Sequence, residues 1–169
     1  IDLLIAVAAV CAAINAYNMM DGIDGLAGSM AGISLVGLSI LFAGTMPDMT
    51  HICLVITIAL VPYLIVNLNI PPFKRKIFLG DAGSMFLGFI IGYLVLFGSQ
   101  HNELEPAFRP VTALWLIGLP LMDMVGIMIR RIRKGQSPLR PDRNHLHHIL
   151  LHAGFTPRES LLLIVVANL

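Results

Sequence analysis

Residues 51–68 read HICLVITIALVPYLIVNL, 18 residues without a single Lys, Arg, Asp or Glu. A bilayer core about 30 Å thick is crossed by roughly 20 apolar residues in a helix, or somewhat fewer when polar ends reach the interface. The stretch therefore predicts a membrane-spanning helix. Similar runs lie on either side of it, near residues 1–17, 27–43, 82–98 and 110–129, and a sixth begins at residue 160. The whole chain of 169 residues is 57% hydrophobic and 12% charged, with a mean hydropathy of +0.83, which is too apolar for a water-soluble domain of this length. The expected fold is an all-α, polytopic transmembrane helix bundle with about six membrane segments, forming one membrane-embedded domain over residues 1–169. No soluble domain or internal repeat interrupts it. The chain opens at Ile1 and closes at Leu169, both inside apolar runs, so we expect a piece of a longer protein, truncated at both ends.

Charge placement orients the segments. The net charge of +1 gives no reason to expect nucleic acid. Lys and Arg accumulate in short cytoplasmic loops. Here Lys74, Arg75 and Lys76 share one loop, and Arg130, Arg131, Arg133, Lys134, Arg140, Arg143 and Arg158 lie an even number of crossings away. Arg109 alone falls on the other face. The opposite loops, around TMPDMT (45–50) and SQHNELEPAF (99–108), carry Asp48, Glu103 and Glu105. The same parity puts residues 18–26 on the cytoplasmic side. Cys11 and Cys53 sit in apolar runs and suggest neither a disulfide nor a zinc site.

All three cytoplasmic loops are rich in chemistry-bearing residues. The first, NAYNMMDGIDGLAG (15–28), spaces Asn15, Asn18, Asp21 and Asp24 by three residues, so two amides and two carboxylates are expected to converge at the membrane surface. Such a cluster is costly near hydrocarbon unless it faces a polar cavity, a cation or hydrogen-bond donors. Turn chemistry alone explains one Asp-Gly pair but not the repeat. The second, KRKIFLGDAGSMFLG (74–88), carries Asp81 between glycines at the start of a helix. That is the setting of an oxygen-ligand metal site, or of a plain N-cap. Asn67 is either a buried polar partner or a helix-ending amide.

The third loop, RRIRKGQSPLRPDRNHLHHILLHAGF (130–155), surrounds His145, His147, His148 and His152 with basic residues. Asn144 is expected to cap a short helix that Gly154 ends, aligning His145, His148 and His152 on one stripe. Imidazoles among arginines suit phosphate better than a cation. Arg130, Arg131, Arg133 and Lys134 are read as ordinary topology signals, and Thr156, Pro157 and Glu159 as a capping box. Asp123, about two turns inside the fifth run, is either functional or paired with Arg130.

Taken in order, NxxNxxDGIDGL, FLGDAGS and the HxHH loop resemble the polyprenyl-phosphate N-acetylhexosamine-1-phosphate transferases, and the resemblance spans nearly the whole chain. HLHH at 145–148 is similar to the branch that makes undecaprenyl-pyrophosphoryl-N-acetylglucosamine for O-antigen, enterobacterial common antigen or teichoic acid. The resemblance implies a phosphotransferase of the bacterial inner membrane that uses a UDP-N-acetylhexosamine, a polyprenyl (undecaprenyl) phosphate and Mg²⁺ or Mn²⁺. It implies Asp21, Asp24 and Asp81 as catalytic and metal-binding residues, His145, His147 and His148 as catalytic, and Asn18, Asn67, Arg140 and Arg143 as substrate-binding. The family's aspartate-rich DDxxD motif is not in this chain, so this piece alone is expected to be inactive. An ion-coupled transporter or channel is the alternative, and a structural membrane fragment a third. The oligomeric state, monomer or homodimer, is left open.

Overall fold

A computed structural model describes residues 3–100, 107–137 and 145–168. Among them are eight helices and no strand: α1 (Leu3–Met20), α2 (Leu26–Phe42), α3 (Pro47–Asn67), α4 (Gly80–Gln100), α5 (Pro110–Leu116), α6 (Gly118–Arg133), α7 (Leu146–His152) and α8 (Pro157–Ala167). Three of them, α1, α3 and α4, are long and apolar enough to cross a membrane, and α5 with α6 makes a fourth candidate. The second apolar run forms the 17-residue α2, and the sixth starts as α8 behind the expected capping box, with Thr156 N–H donating to Glu159 Oε2 at 2.8 Å.

α2 is the hub. Met30, Ala31, Leu35, Leu38 and Phe42 along it are inaccessible, packed among α1, α3, α4, α5 and α8. The outer helices turn the opposite character outward: α3 buries Cys53, Leu60 and Asn67 alone along its length, and Val55 and Ile58 are about two-thirds exposed. In water that surface is unfavourable, whereas in hydrocarbon it is matched to its solvent.

α1 and α4 run antiparallel at very close range. Gly88 and Gly92 form a GxxxG step, and a Cβ on Gly88 would lie 2.8 Å from both the Ala13 carbonyl oxygen and the Ile14 Cα. Without a hydrophobic drive between helices in lipid, such close packing supplies much of the association. At the far end of the bundle Phe42 and Phe108 meet over Gly98, with ring centroids 5.3 Å apart.

The fifth run is not one continuous helix, which corrects the sequence expectation. It breaks at Ile117, with an 80° bend between α5 and α6. Pro120 has no N–H for the Leu116 carbonyl, and its ring clashes with that carbonyl in a straight helix. The orphan oxygen is taken up instead by Ser34 of α2, whose hydroxyl donates to it at 2.6 Å while accepting from Tyr17 at 2.7 Å.

Candidate functional site

The ends of α1 and α3 and the starts of α2 and α4 meet at the end of the bundle opposite Phe42 and Phe108. Asn67 ties them together. Its side chain is buried, its Oδ1 accepts the Gly25 N–H at 2.5 Å, and its Nδ2 donates to the Ile77 carbonyl at 2.7 Å. Gly25 holds φ 78° at the N-cap of α2, a conformation that favours glycine, so the DGIDG turn is fixed by its own backbone and by Asn67. The Asn67 amide thus binds two loops at once, with both of its polar atoms engaged by backbone.

Between those loops lies a cavity of about 270 Å³ lined by Asp21, Gly22, Ile23, Asp24, Asn67, Phe78, Leu79, Gly80 and Asp81. The two acidic motifs expected to meet do so. Burial raises the Asp21 pKa above the ordinary carboxylate value, and the neighbouring charges of Asp81 and Asp24 raise it further. Asp24 forms an ion pair with Lys76. Asp81 sits in the first turn of α4, and among the described residues its carboxylate makes no hydrogen bond or ion pair. The N-cap alternative needs a bond to a first-turn N–H, and none is made. Asn18 accepts the Ser84 hydroxyl at 2.8 Å, joining α1 to α4 beside the cavity. Asn15 is exposed, and among the described residues its side chain bonds to the Cys11 carbonyl of its own helix, so Asn18 rather than Asn15 joins the cluster.

The histidines arrive on α7. The expected stripe of His145, His148 and His152 is corrected, because His145 occupies the N-cap with extended backbone (φ −67°, ψ 161°), where helical spacing does not apply. His152 turns away and donates from Nδ1 to the His148 carbonyl at 2.7 Å. His145, His147 and His148 cluster instead, with His147 centroids 5.6 Å from His145 and 4.2 Å from His148. His147 is buried and packed directly on Gly22, where a Cβ would come within 2.0 Å of its Nε2. That Nε2 has no hydrogen-bond partner among the described residues. Burial, and then the neighbouring imidazoles of His148 and His145, push the His147 pKa down to about 4, so the ring is neutral at pH 7. All three sequence motifs therefore meet at one end of the bundle, with Gly22 as the seam.

Asp123 finds its partners on the histidine segment, and Arg131 is buried. The Asp123 carboxylate accepts His145 Nδ1–H at 3.1 Å and the Leu146 N–H at 2.9 Å, so both oxygens bind α7. Arg130, the partner considered from sequence, turns its Nε to the Gly126 carbonyl at 3.3 Å. Arg131, read as a topology signal, is 4% exposed. Arg140, Arg143 and Asn144 lie outside the described residues.

Residues 1–99 match the family model for glycosyl transferase family 4. The chain belongs to glycosyl transferase family 4. It is 46% identical over 161 residues to the undecaprenyl-phosphate alpha-N-acetylglucosaminyl 1-phosphate transferase of Salmonella typhi, covering 94% of this chain and 43% of that protein. The Yersinia pestis protein of the same name is 44% identical over 161 residues, with the same coverage. The one from Haemophilus influenzae is 48% identical over 144 residues, covering 83% of this chain and 40% of the relative. The chain thus spans less than half the length of these relatives. No solved structure matches it significantly.

Within this family-4 chain, the donor set around the cavity is all oxygen, which suits a hard cation. Among the described residues no three Asp, Glu, His or Cys side chains are grouped so as to hold a metal on their own. Mg²⁺ is commonly bound by one or two carboxylates together with substrate phosphates rather than by an all-protein cage.

Proposed function

We propose that the full-length protein transfers N-acetylglucosamine-1-phosphate from its UDP-sugar to undecaprenyl phosphate at the cytoplasmic face of a bacterial inner membrane, the first step of cell-surface polysaccharide synthesis. The carrying observation is the convergence of Asp21, Asp24, Asp81 and the His145–His147–His148 cluster at one end of an apolar bundle. The names of the family relatives and the basic loops at that end support the same reading.

A lipid phosphate oxygen attacks the β-phosphorus of the UDP-sugar, and the bond to the α-phosphate oxygen breaks to release UMP. Both reactants are anions, so neutralising charge is the main demand on the protein. Asp81, Asp21 and Asp24 are the residues that would hold Mg²⁺ (or Mn²⁺), Asp24 being ion-paired to Lys76 in this structure. The bound cation supplies charge neutralisation for the pyrophosphate. His148 supplies a donor to phosphate or sugar oxygens, His145 turns Nε2 to a sugar hydroxyl, and neutral His147 offers a single N–H. Arg140 and Arg143 are placed by sequence to grip phosphate. Asn18 contributes beside the nucleotide, and Asn67 shapes the cavity by clamping its two loops. The segments number about six, with the lipid tail held among helices open to the bilayer.

The test is transfer of labelled sugar phosphate from UDP-N-acetylglucosamine to endogenous lipid in membranes expressing the full-length protein. Formation of a labelled pyrophosphoryl lipid with stoichiometric UMP is expected. Absence of labelled lipid with a folded, inserted protein would return the transporter or channel reading.

A further inference from the structure

We infer that Asp123 is a positioning residue that sets the orientation and ring tautomer of His145 and anchors the histidine cluster to the membrane helix α6, an inference that rests on the transferase reading. An ionised carboxylate within a membrane-spanning segment is expensive unless donors satisfy it. Among the described residues Asp123 has two donors, the N-cap residue and the first residue of α7. Its Oδ1 accepts the Leu146 N–H at 2.9 Å, satisfying one of the free N–H groups of the first turn, and its Oδ2 accepts from His145 Nδ1 at 3.1 Å. The two side chains are 7% and 9% exposed, so little water competes for these bonds.

The consequence propagates. His145 stacks on His147 with planes 4° apart, and His147 in turn presses on Gly22 beside Asp21. A carboxylate on α6 thereby determines where the rings of α7 lie against the acidic turn. It also keeps the proton on Nδ1 of His145, leaving Nε2 as the atom available to a ligand. A carboxylate behind a functional imidazole acts in this way on metal-bound histidines and in hydrolase triads.

Asp123→Asn separates the two tasks. The amide retains an oxygen for the Leu146 N–H, so the cap survives. Its NH₂ faces His145 Nδ1 with a donor where an acceptor stood, which drives the imidazole to the other tautomer. Asp123→Ala removes both bonds and serves as the folding control.

The experiment uses the full-length protein in lipid nanodiscs, with UDP-N-acetylglucosamine and undecaprenyl phosphate as substrates. Asp123→Asn is expected to melt with wild-type protein while kcat/KM falls about 10- to 100-fold, the range for carboxylates that orient ligand histidines. His145→Ala should cost a comparable factor alone but less than about twofold more on top of Asp123→Asn, as groups acting as a unit do. Solid-state NMR of ¹⁵N-histidine, assigned by the signal lost in His145→Ala, should show Nδ1 protonated in wild type and Nε2 alone protonated in Asp123→Asn. Multiplicative losses, wild-type turnover in either single variant, or an unchanged tautomer in Asp123→Asn would overturn the inference. A wild-type protein with no transfer activity sinks the transferase reading instead, and the tautomer then decides the role of Asp123 by itself.

Discussion

Gly22→Ala tests the seam between the acidic turn and the histidine helix with the smallest possible change. The new Cβ would stand 2.0 Å from His147 Nε2 and 2.3 Å from Cε1, where ordinary contact begins at 3.4 Å. The ring must retreat by about 1.4 Å, and it has little room, because it is 2% exposed and lies 4.2 Å from His148. Overpacking of this kind costs about 1–3 kcal/mol. A misplacement of about 1 Å in a reacting geometry costs on the order of 100-fold in rate. The full-length Gly22→Ala enzyme should therefore melt several degrees lower and lose about two orders of magnitude in kcat/KM. Gly32→Ala is the matched control: nothing lies within 4 Å of its Cβ in the middle of α2, so it should be neutral or slightly stabilising. Wild-type kcat/KM and an unchanged melting temperature in Gly22→Ala would show that His147 does not bear on that turn, and the convergence of the third motif would fall with it.

Asp81→Asn keeps size and removes charge from a carboxylate with no partner among the described residues, so it should leave the melting temperature unchanged, abolish most turnover and raise the Mg²⁺ concentration needed for the remainder; near-normal turnover at low Mg²⁺ refutes the metal assignment. Asp21→Asn should raise the melting temperature at neutral pH in EDTA. The Asp21 pKa is raised on folding, so its contribution to stability is complete below the ordinary carboxylate range and is lost as pH rises through the raised value. The gain should vanish in acid and shrink with Mg²⁺, and a variant less stable than wild type in EDTA at neutral pH contradicts this electrostatic account. Gly88→Ala drives a methyl group into the Ala13 and Ile14 backbone and should cost about 1–3 kcal/mol in a detergent-unfolding assay, with a wild-type midpoint arguing against close α1–α4 packing.

Much of this arrangement is written in local sequence. Apolar runs mark most of the helices to within a few residues, and the Asn and Asp spacing of residues 15–24 brings Asp21 and Asp24 to the cavity that Asp81 also lines. What was hidden depends on distant partners. Pro120 announces a possible kink, but the 80° break is accommodated by Ser34, a residue 82 positions from the carbonyl it satisfies. Helical periodicity misaligned the histidines because the helix starts at Leu146, one residue later than that argument needs, and because Asp123, 23 residues upstream of that start, supplies its cap. Arg131 is buried in helical register with Pro120, Met124 and Ile127, a spacing legible in sequence but masked by the exposed Arg130 and Arg133 beside it.

The two glycines of DGIDG show how a turn and a site share one string. Turn chemistry accounts for Gly25, whose φ of 78° favours glycine and whose N–H is held by Asn67. It does not account for Gly22, which is outside the left-handed region and whose lack of a side chain matters only because His147 occupies the space. A turn that served itself alone would tolerate Ala there. The first Asp-Gly pair is thus shaped by a residue 125 positions away on α7, while the second is shaped by its own backbone. The acidic repeat carries its first glycine for the approach of the histidine cluster, and that approach is what joins a carboxylate-lined cavity to imidazole donors in a single site.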